Sequence, residues 1–258
     1  MVLFHAGYYI NLSKSKFDPT TRIRHLGILI DSIEMKFFVP VDRVENLQGI
    51  IREILKNKTC SLKTLEKCVG KCRSMAIAVP CAILYTRAQY QALAENLESW
   101  QHPRIARKKH ILIRPNSELE NELNIWMNLH MELINGNVWL CTEKLHLTLT
   151  AFTDASSRRW GGIFRGPEGI FQMGGDFAEE QVGLHINVKE AVALEASLRL
   201  FCEKTNEKIK GKIVVVNVDN QVLFHIYEKG GSTRQEDITK ICKRLFWLQV
   251  KSQFKLAL

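Results

Sequence analysis

The chain has 258 residues, more than one average domain needs, and its 46% hydrophobic and 24% charged content excludes a disordered polymer. A net charge of +9 with a pI near 9.2 favours a polyanionic partner, nucleic acid or an anionic surface. No apolar run approaches the roughly 20 residues that span a bilayer, and seven cysteines without a secretory signal point to reduced thiols in an intracellular compartment, cytoplasmic or nuclear.

Residues 1 to about 38 read as β-rich and turn-rich: GYYINLSKSK, a turn at Pro19, then HLGILID and MKFFVP. Gly27 allows a bend or a close backbone approach there, and Pro40 closes the segment. From Asp42 to about Asn135 the period is helical. Val44, Leu47, Ile50, Ile51, Ile54 and Leu55 make one apolar stripe. Leu62, Leu65, Cys68, Val69 and Cys72 make a second, with Ser61 as its N-cap. Cys68 and Cys72 stand four apart and could share zinc, but their apolar setting favours core packing.

A third helix is expected over Ile83 to Trp100, and a last one opens at Asn116 or Ser117 and carries Leu119, Leu123, Trp126 and Leu129. Trp100, Trp126 and Trp139 read as core filling before base stacking. Between these helices lies a basic stretch with Arg104, Arg107, Lys108, Lys109 and Arg114. It is either a solvated loop or a contact for a phosphate backbone.

From about Val138 the pattern becomes mixed α/β. Leu145, Leu147, Leu149 and Ala151 alternate with polar residues as in a half-buried strand. A hairpin around Gly166–Pro167–Glu168–Gly169 follows, then helix 187–203, strand 213–218, a short helix 220–228, a KGGST break and helix 234–252. Val214, Val215 and Val216 form the unbroken run of a central strand covered on both faces.

Three carboxylates stand where such a sheet would aim them together. Asp154 ends the first strand, Glu190 lies in the first turns of the long helix, and Asp219 ends the Val-rich strand. Phosphodiester cleavage with two divalent ions needs oxygen ligands of this kind. Clustered acids repel each other unless a cation is present. Each acid alone also suits a turn or a cap, so the joint pattern carries the reading. Glu195 falls within the apolar stripe and is expected either to snorkel or to pair with a base.

FTDASSRRWGG, HINVKEAVALEA and VVNVDNQ with YEKGGS resemble the successive blocks of the ribonuclease H domain in retroelement polyproteins, most of all the tyrosine-recombinase, DIRS-type retrotransposons. Upstream, AGYYINLSKSKFDPTTRIRHLGILIDS is similar to the last palm motifs of a reverse transcriptase, and LEKCVGKCRSMAIAVPCAILYTRAQYQAL to its thumb or connection segment. The resemblance implies a palm remnant over 1–40, a helical thumb or connection region over 41–137 and an α/β ribonuclease H-like domain, a mixed sheet with flanking helices, over 138–258. It implies that Asp154, Glu190 and Asp219 bind Mg²⁺ or Mn²⁺ and catalyse cleavage of RNA in RNA–DNA hybrids. Ser156, Asn187, Asn220 and Gln221 would lie near the hybrid, and Arg107, Lys108 and Lys109 would meet nucleic acid, hybrid or primer–template duplex.

Two departures temper the activity. The chain has no Asp-Asp pair, so no polymerase activity is expected of it alone. FKLAL looks like the start of the last strand, after which the family's fourth carboxylate would follow, so cleavage is expected to be weak or lost. Asp237 sits early in a helix and is not a ligand candidate. The alternative reading is a non-catalytic binding module for nucleic acid.

Overall fold

The computed structural model describes residues 5–79, 81–96, 110–128, 138–139, 148–205, 209–232 and 234–258. Strands β1 (Arg22–His25), β2 (Ile28–Asp31) and β3 (Lys36–Phe38) form an antiparallel meander. Leu26 and Gly27 both have positive φ, the two-residue turn that matches strand twist. Arg43 donates to the Gly27 carbonyl at 2.8 Å, which ties this turn to the next helix. Asp31 closes the second turn by accepting from the amides of Ile33 and Glu34, each at 2.9 Å. The GYYINLSK segment, expected as strand, forms only a 3-10 turn at Leu12–Lys14, with Tyr8 and Tyr9 exposed. Its β-prone residues find no partner strand among the described residues, and an unpaired strand is not stable.

Helix α1 (Val41–Asn57) buries Val44, Leu47, Ile51 and Ile54, the stripe read from the sequence. A short strand β4 (Thr59–Ser61) leads into α2 (Leu62–Ser74), and Ser61 caps α2 through Thr64 N–H at 3.1 Å. Cys68 and Cys72 are fully buried in α2 packing, as core residues. The expected third helix is broken. A 3-10 turn at Leu84–Thr86 directly precedes α3 (Arg87–Asn96), with Tyr85 non-helical inside that turn. The Tyr85 carbonyl instead accepts from Trp126 Nε1 at 2.8 Å. Glu122, reaching from α4 (Glu118–Met127), accepts the first amides of α3, Ala88 and Gln89, at 3.0 and 3.3 Å. Trp126 thus fills the core, at 1% exposure. β5 (His110–Leu112) pairs with β4, and β6 (Val138–Trp139) pairs with β3 and so belongs to the first sheet. Residues 101–109, with Arg104, Arg107, Lys108 and Lys109, lie outside the described residues, as do Trp100, Leu129, Leu145 and Leu147 and the side chain of Trp139.

The second sheet contains β7 (Thr148–Ala155), β8 (Arg159–Gly166), β9 (Gly169–Asp176), β10 (Ile213–Asn217) and β11 (Lys255–Ala257), in the order β11-β10-β7-β8-β9. β7–β8–β9 is an antiparallel meander, whereas β10 runs parallel to both β7 and β11. After a short helix α5 (Glu179–Val182), the long helix α6 (Ile186–Thr205) packs on one face of this sheet. There Leu149, Ala151, Phe164, Val214 and Val216 are buried. Phe201 stacks on Phe164 with ring centres 4.3 Å apart. Helices α7 (Gln221–Glu228) and α8 (Glu236–Ser252) follow β10. The expectation that β10 is covered on both faces fails, since Val215 is only half-buried and Phe152 on the same face is 44% exposed. An unbroken apolar run does not by itself separate one-sided from two-sided burial.

This is an α/β, ribonuclease H-like mixed sheet with flanking helices. No helix among the described residues is long and apolar enough to cross a membrane.

The seat of α6 is tightest at Gly162, where an added Cβ would stand 2.8 Å from Ser197 Cβ and 2.6 Å from its Oγ. Gly162→Ala is therefore expected to cost about 1–3 kcal/mol through overpacking. Gly162→Ala with Ser197→Gly should cost less than the sum of the single changes, read from denaturant midpoints; additive costs would show that the two positions do not touch.

Candidate active site

Strands β7 and β10 are parallel neighbours, with Asn217 opposite Phe152. Two residues further on in each chain direction stand Asp154 and Asp219, so both acids leave the same end of the sheet side by side. The sheet grows from β7 toward β8 on one side and toward β10 on the other. Such a switch at the carboxyl ends of parallel strands is where open α/β sheets form crevices.

Asp154 is exposed and turns its Oδ1 onto the Ala155 amide at 2.8 Å. The next turn is held by Ser156, whose Oγ donates to the Arg159 carbonyl and accepts from the Arg159 amide, each at 3.0 Å. Lys189 braces the same turn from α6, donating to the Ser157 carbonyl at 2.7 Å while lying over the Phe177 ring. This lysine is 6% exposed. A buried ammonium is retained only where such partners offset its lost hydration.

Helix α6 begins at the same end. His185 takes the Asn187 amide on Nδ1 at 3.2 Å, and its carbonyl accepts from Val188 and Lys189. This cap fixes the first turns that carry Asn187 and Glu190. Asn220 joins three elements. Its Oδ1 accepts from Leu223 at the start of α7 at 2.9 Å, and its Nδ2 donates to the Asn187 carbonyl at 3.2 Å. The Asn220 side chain is also bonded to Glu190. With both amide atoms engaged and 7% exposure, Asn220 is a strut between β10, α6 and α7. Gln221 is exposed beside it and Asn187 is half-buried.

Glu190 is half-buried at the rim. Burial raises its pKa above the ordinary carboxylate range, and the charges of Asp219 and Asp154 add to the rise, while Asn220 and His185 oppose it. Asp154 and Asp219, far apart along the chain, thus both act on Glu190. Among the described residues, no three His, Cys, Asp or Glu side chains stand close enough together to hold a metal ion as they are. The donor set still fits Mg²⁺ in kind, because it is all carboxylate oxygen and mutually repulsive. Glu195 takes no part: Arg244 grips it through Nε and Nη2 and Arg199 adds a bond at 2.8 Å, so of the two expected outcomes, snorkelling and pairing, it is pairing that occurs. His185 and Lys189 were not singled out in the sequence. Lys189 carries no local signal, since an exposed lysine in a first helical turn would read the same.

The sheet order and its flanking helices make this a ribonuclease H-like α/β fold. No protein-family model matches this chain, and no curated protein matches it. Among solved structures it is similar to the foamy viral protease-reverse transcriptase dRH in complex with double-stranded DNA, at 14% identity and a TM-score of 0.38, over 99% of this chain and 41% of that one. It is also similar to the foamy viral protease-reverse transcriptase in complex with RNA/DNA hybrid, at 12% identity and a TM-score of 0.31, over 92% of this chain and 29% of that one. RNase H1 from the halophilic archaeon Halobacterium salinarum NRC-1 aligns at 17% identity and a TM-score of 0.35, over 43% of this chain and 83% of that one. The chain spans less than half the length of the foamy viral proteins.

The raised Glu190 pKa has a signed consequence. The folded state holds this proton more tightly than the unfolded chain, whose carboxyl titrates near 4.5. Its stabilising contribution is full below that pH and is lost as pH rises through the folded value. Glu190→Gln should raise the melting temperature relative to the parent at pH 7 and leave the difference near zero at pH 4. Asp154→Asn and Asp219→Asn should each lower the Glu190 pKa in a carbon-detected NMR titration. A Glu190 titration indifferent to both changes would place the acids apart.

Proposed function

We propose that this chain is a reverse transcriptase fragment of retroelement type, of the DIRS lineage, whose ribonuclease H-like domain acts on RNA–DNA hybrids with Mg²⁺ or Mn²⁺. The observation that carries the reading is geometric: Asp154 and Asp219 each stand two residues beyond the paired residues Phe152 and Asn217 of two adjacent parallel strands, and Asn220 ties the first turn of the helix that carries Glu190 to the same end. On this reading residues 1–40 are a palm segment, 41–137 a thumb or connection region and 138–258 the ribonuclease H-like domain. No polymerase activity is assigned to it.

Asp154, Glu190 and Asp219 would hold the metal. The chemistry that bound Mg²⁺ supplies is activation of water and neutralisation of the leaving oxygen. The protein's own part is to keep the acids at one rim: Asn220 orients Glu190, His185 caps the helix that carries it, and Ser156 with Lys189 fixes the turn beyond Asp154. Asn187 and Gln221 border the acids and would meet the hybrid, where a 2′-hydroxyl distinguishes RNA from DNA. The net charge of +9 would hold the polyanion against salt-sensitive competition. That charge also favours a second reading, in which the same surface binds hybrid without cutting it.

The deciding experiment incubates the whole chain with an end-labelled hybrid and Mg²⁺ or Mn²⁺. Metal-dependent scission of the RNA strand is expected. Asp154→Asn, Glu190→Gln and Asp219→Asn should each slow it by more than the roughly 10–100-fold that loss of an outer-shell metal partner costs. Binding without scission, weakening steeply with salt, would select the binding module. Scission that survives Asp154→Asn would place the active site elsewhere.

A further inference from the structure

Between the C-terminal halves of α6 and α8 lies a groove of about 620 Å³. Arg199, Lys210, Arg244, Lys251 and Trp247 line it, together with Glu203. It begins nine residues along α6 from Glu190, roughly 14 Å at 1.5 Å per residue. It is therefore separate from the acidic rim. Arg199 and Arg244 share a single carboxylate, Glu195, at 2.8 and 2.6 Å. Four bases against Glu195 and Glu203 leave two positive charges in excess. Lys251 in the last turn of α8 also complements the helix dipole. That role explains neither the arginines nor Lys210, which lies outside both helices.

Trp247 supplies the second feature. The residue is 39% exposed, yet its Nε1 donates to Tyr85 Oη at 2.7 Å, which orients the indole at the groove. A fixed, partly open indole among excess cations matches the requirements of a nucleic-acid strand, with phosphates on the bases and a nucleobase against the ring. An acidic peptide would use the charges but not the indole. We infer that this groove is a second nucleic-acid subsite, which binds a single-stranded segment of the polynucleotide whose duplex part engages the acidic rim. The inference rests on the nucleic-acid reading above and extends it to a surface away from the carboxylates.

The test measures binding of the whole chain to fluorescein-labelled dT20 and to a blunt RNA–DNA hybrid across a salt series, with thermal melts as a folding control. Lys210→Glu with Lys251→Glu changes two exposed side chains. It should weaken dT20 binding by roughly tenfold or more and flatten the logarithmic salt slope by about 1.4, the value for two phosphate contacts on a single strand. Trp247→Leu should also weaken dT20 by roughly tenfold, as loss of a stacked base does. Blunt-hybrid affinity should fall less in both variants. Unchanged dT20 affinity and slope in the double variant, with hybrid binding by the parent intact, would overturn the groove and leave the proposed function standing. No binding of either ligand by the parent would overturn both. Displacement of dT20 by polyglutamate at equal charge, with Trp247→Leu neutral, would show a peptide surface instead.

Discussion

The position of one helix against one sheet governs this molecule. Helix α6 lies close on β8 because Gly162 offers no side chain opposite Ser197, and Phe201 then reaches Phe164 to stack face to face. On its other side Glu195 is clamped by Arg244 from α8. These contacts fix both the depth of α6 and its travel along its own axis. A slip of one turn, about 5.4 Å, would carry Glu190 away from the ends of β7 and β10. Interdigitated packing resists such a slip because the two surfaces fit in discrete arrangements only. The rim of acids is thus a product of core packing some distance away.

Helices α3 and α4 are joined to α7, α8 and the turn between them by polar contacts. Arg87 donates to the carbonyls of Lys229 and Gly230, in the turn between α7 and α8. Gly230 and Gly231 have positive φ there, and a Cβ on Gly230 would stand 2.8 Å from Ile83. Lys243 reaches Glu118 and Glu122 at 3.2 and 3.6 Å and lies over the Tyr85 ring. Burial raises the Glu122 pKa, while Lys243 and the two amides it caps hold it down. A buried acid of this kind is costly when any one partner is lost. The start of α3, the middle of α8 and the KGG turn are therefore linked through these contacts. The same region presents Trp247 to the groove.

Much of this was legible in the sequence, for identifiable reasons. The α1 stripe, the Ser61 and Ser117 caps, the β8–β9 hairpin and the order of elements after Leu149 follow from local periodicity and turn chemistry. Glu195 pairing was readable because a charge within an apolar stripe needs a partner. Long-range partners were not readable. The break at Tyr85 is set by Trp126 and Glu122, about 40 residues away, and GYYINLSK fails as strand for want of a neighbour. Asn220 reads as a cap or a ligand contact, and only the fold shows that its amide also holds α6. Lys189 is invisible in sequence because its partner is a backbone carbonyl across a turn.

On the proposed function, Asp154, Glu190 and Asp219 converge on divalent metal at the ends of β7 and β10. Substoichiometric Mn²⁺ added to the ¹⁵N-labelled chain tests it directly, because the ion broadens only the amides near where it binds. The account predicts that Ala155, Glu190 and Asn220 broaden first and together, and that excess Mg²⁺ restores them. Broadening centred on another acidic surface, such as Glu236 and Asp237 at the start of α8, would contradict it.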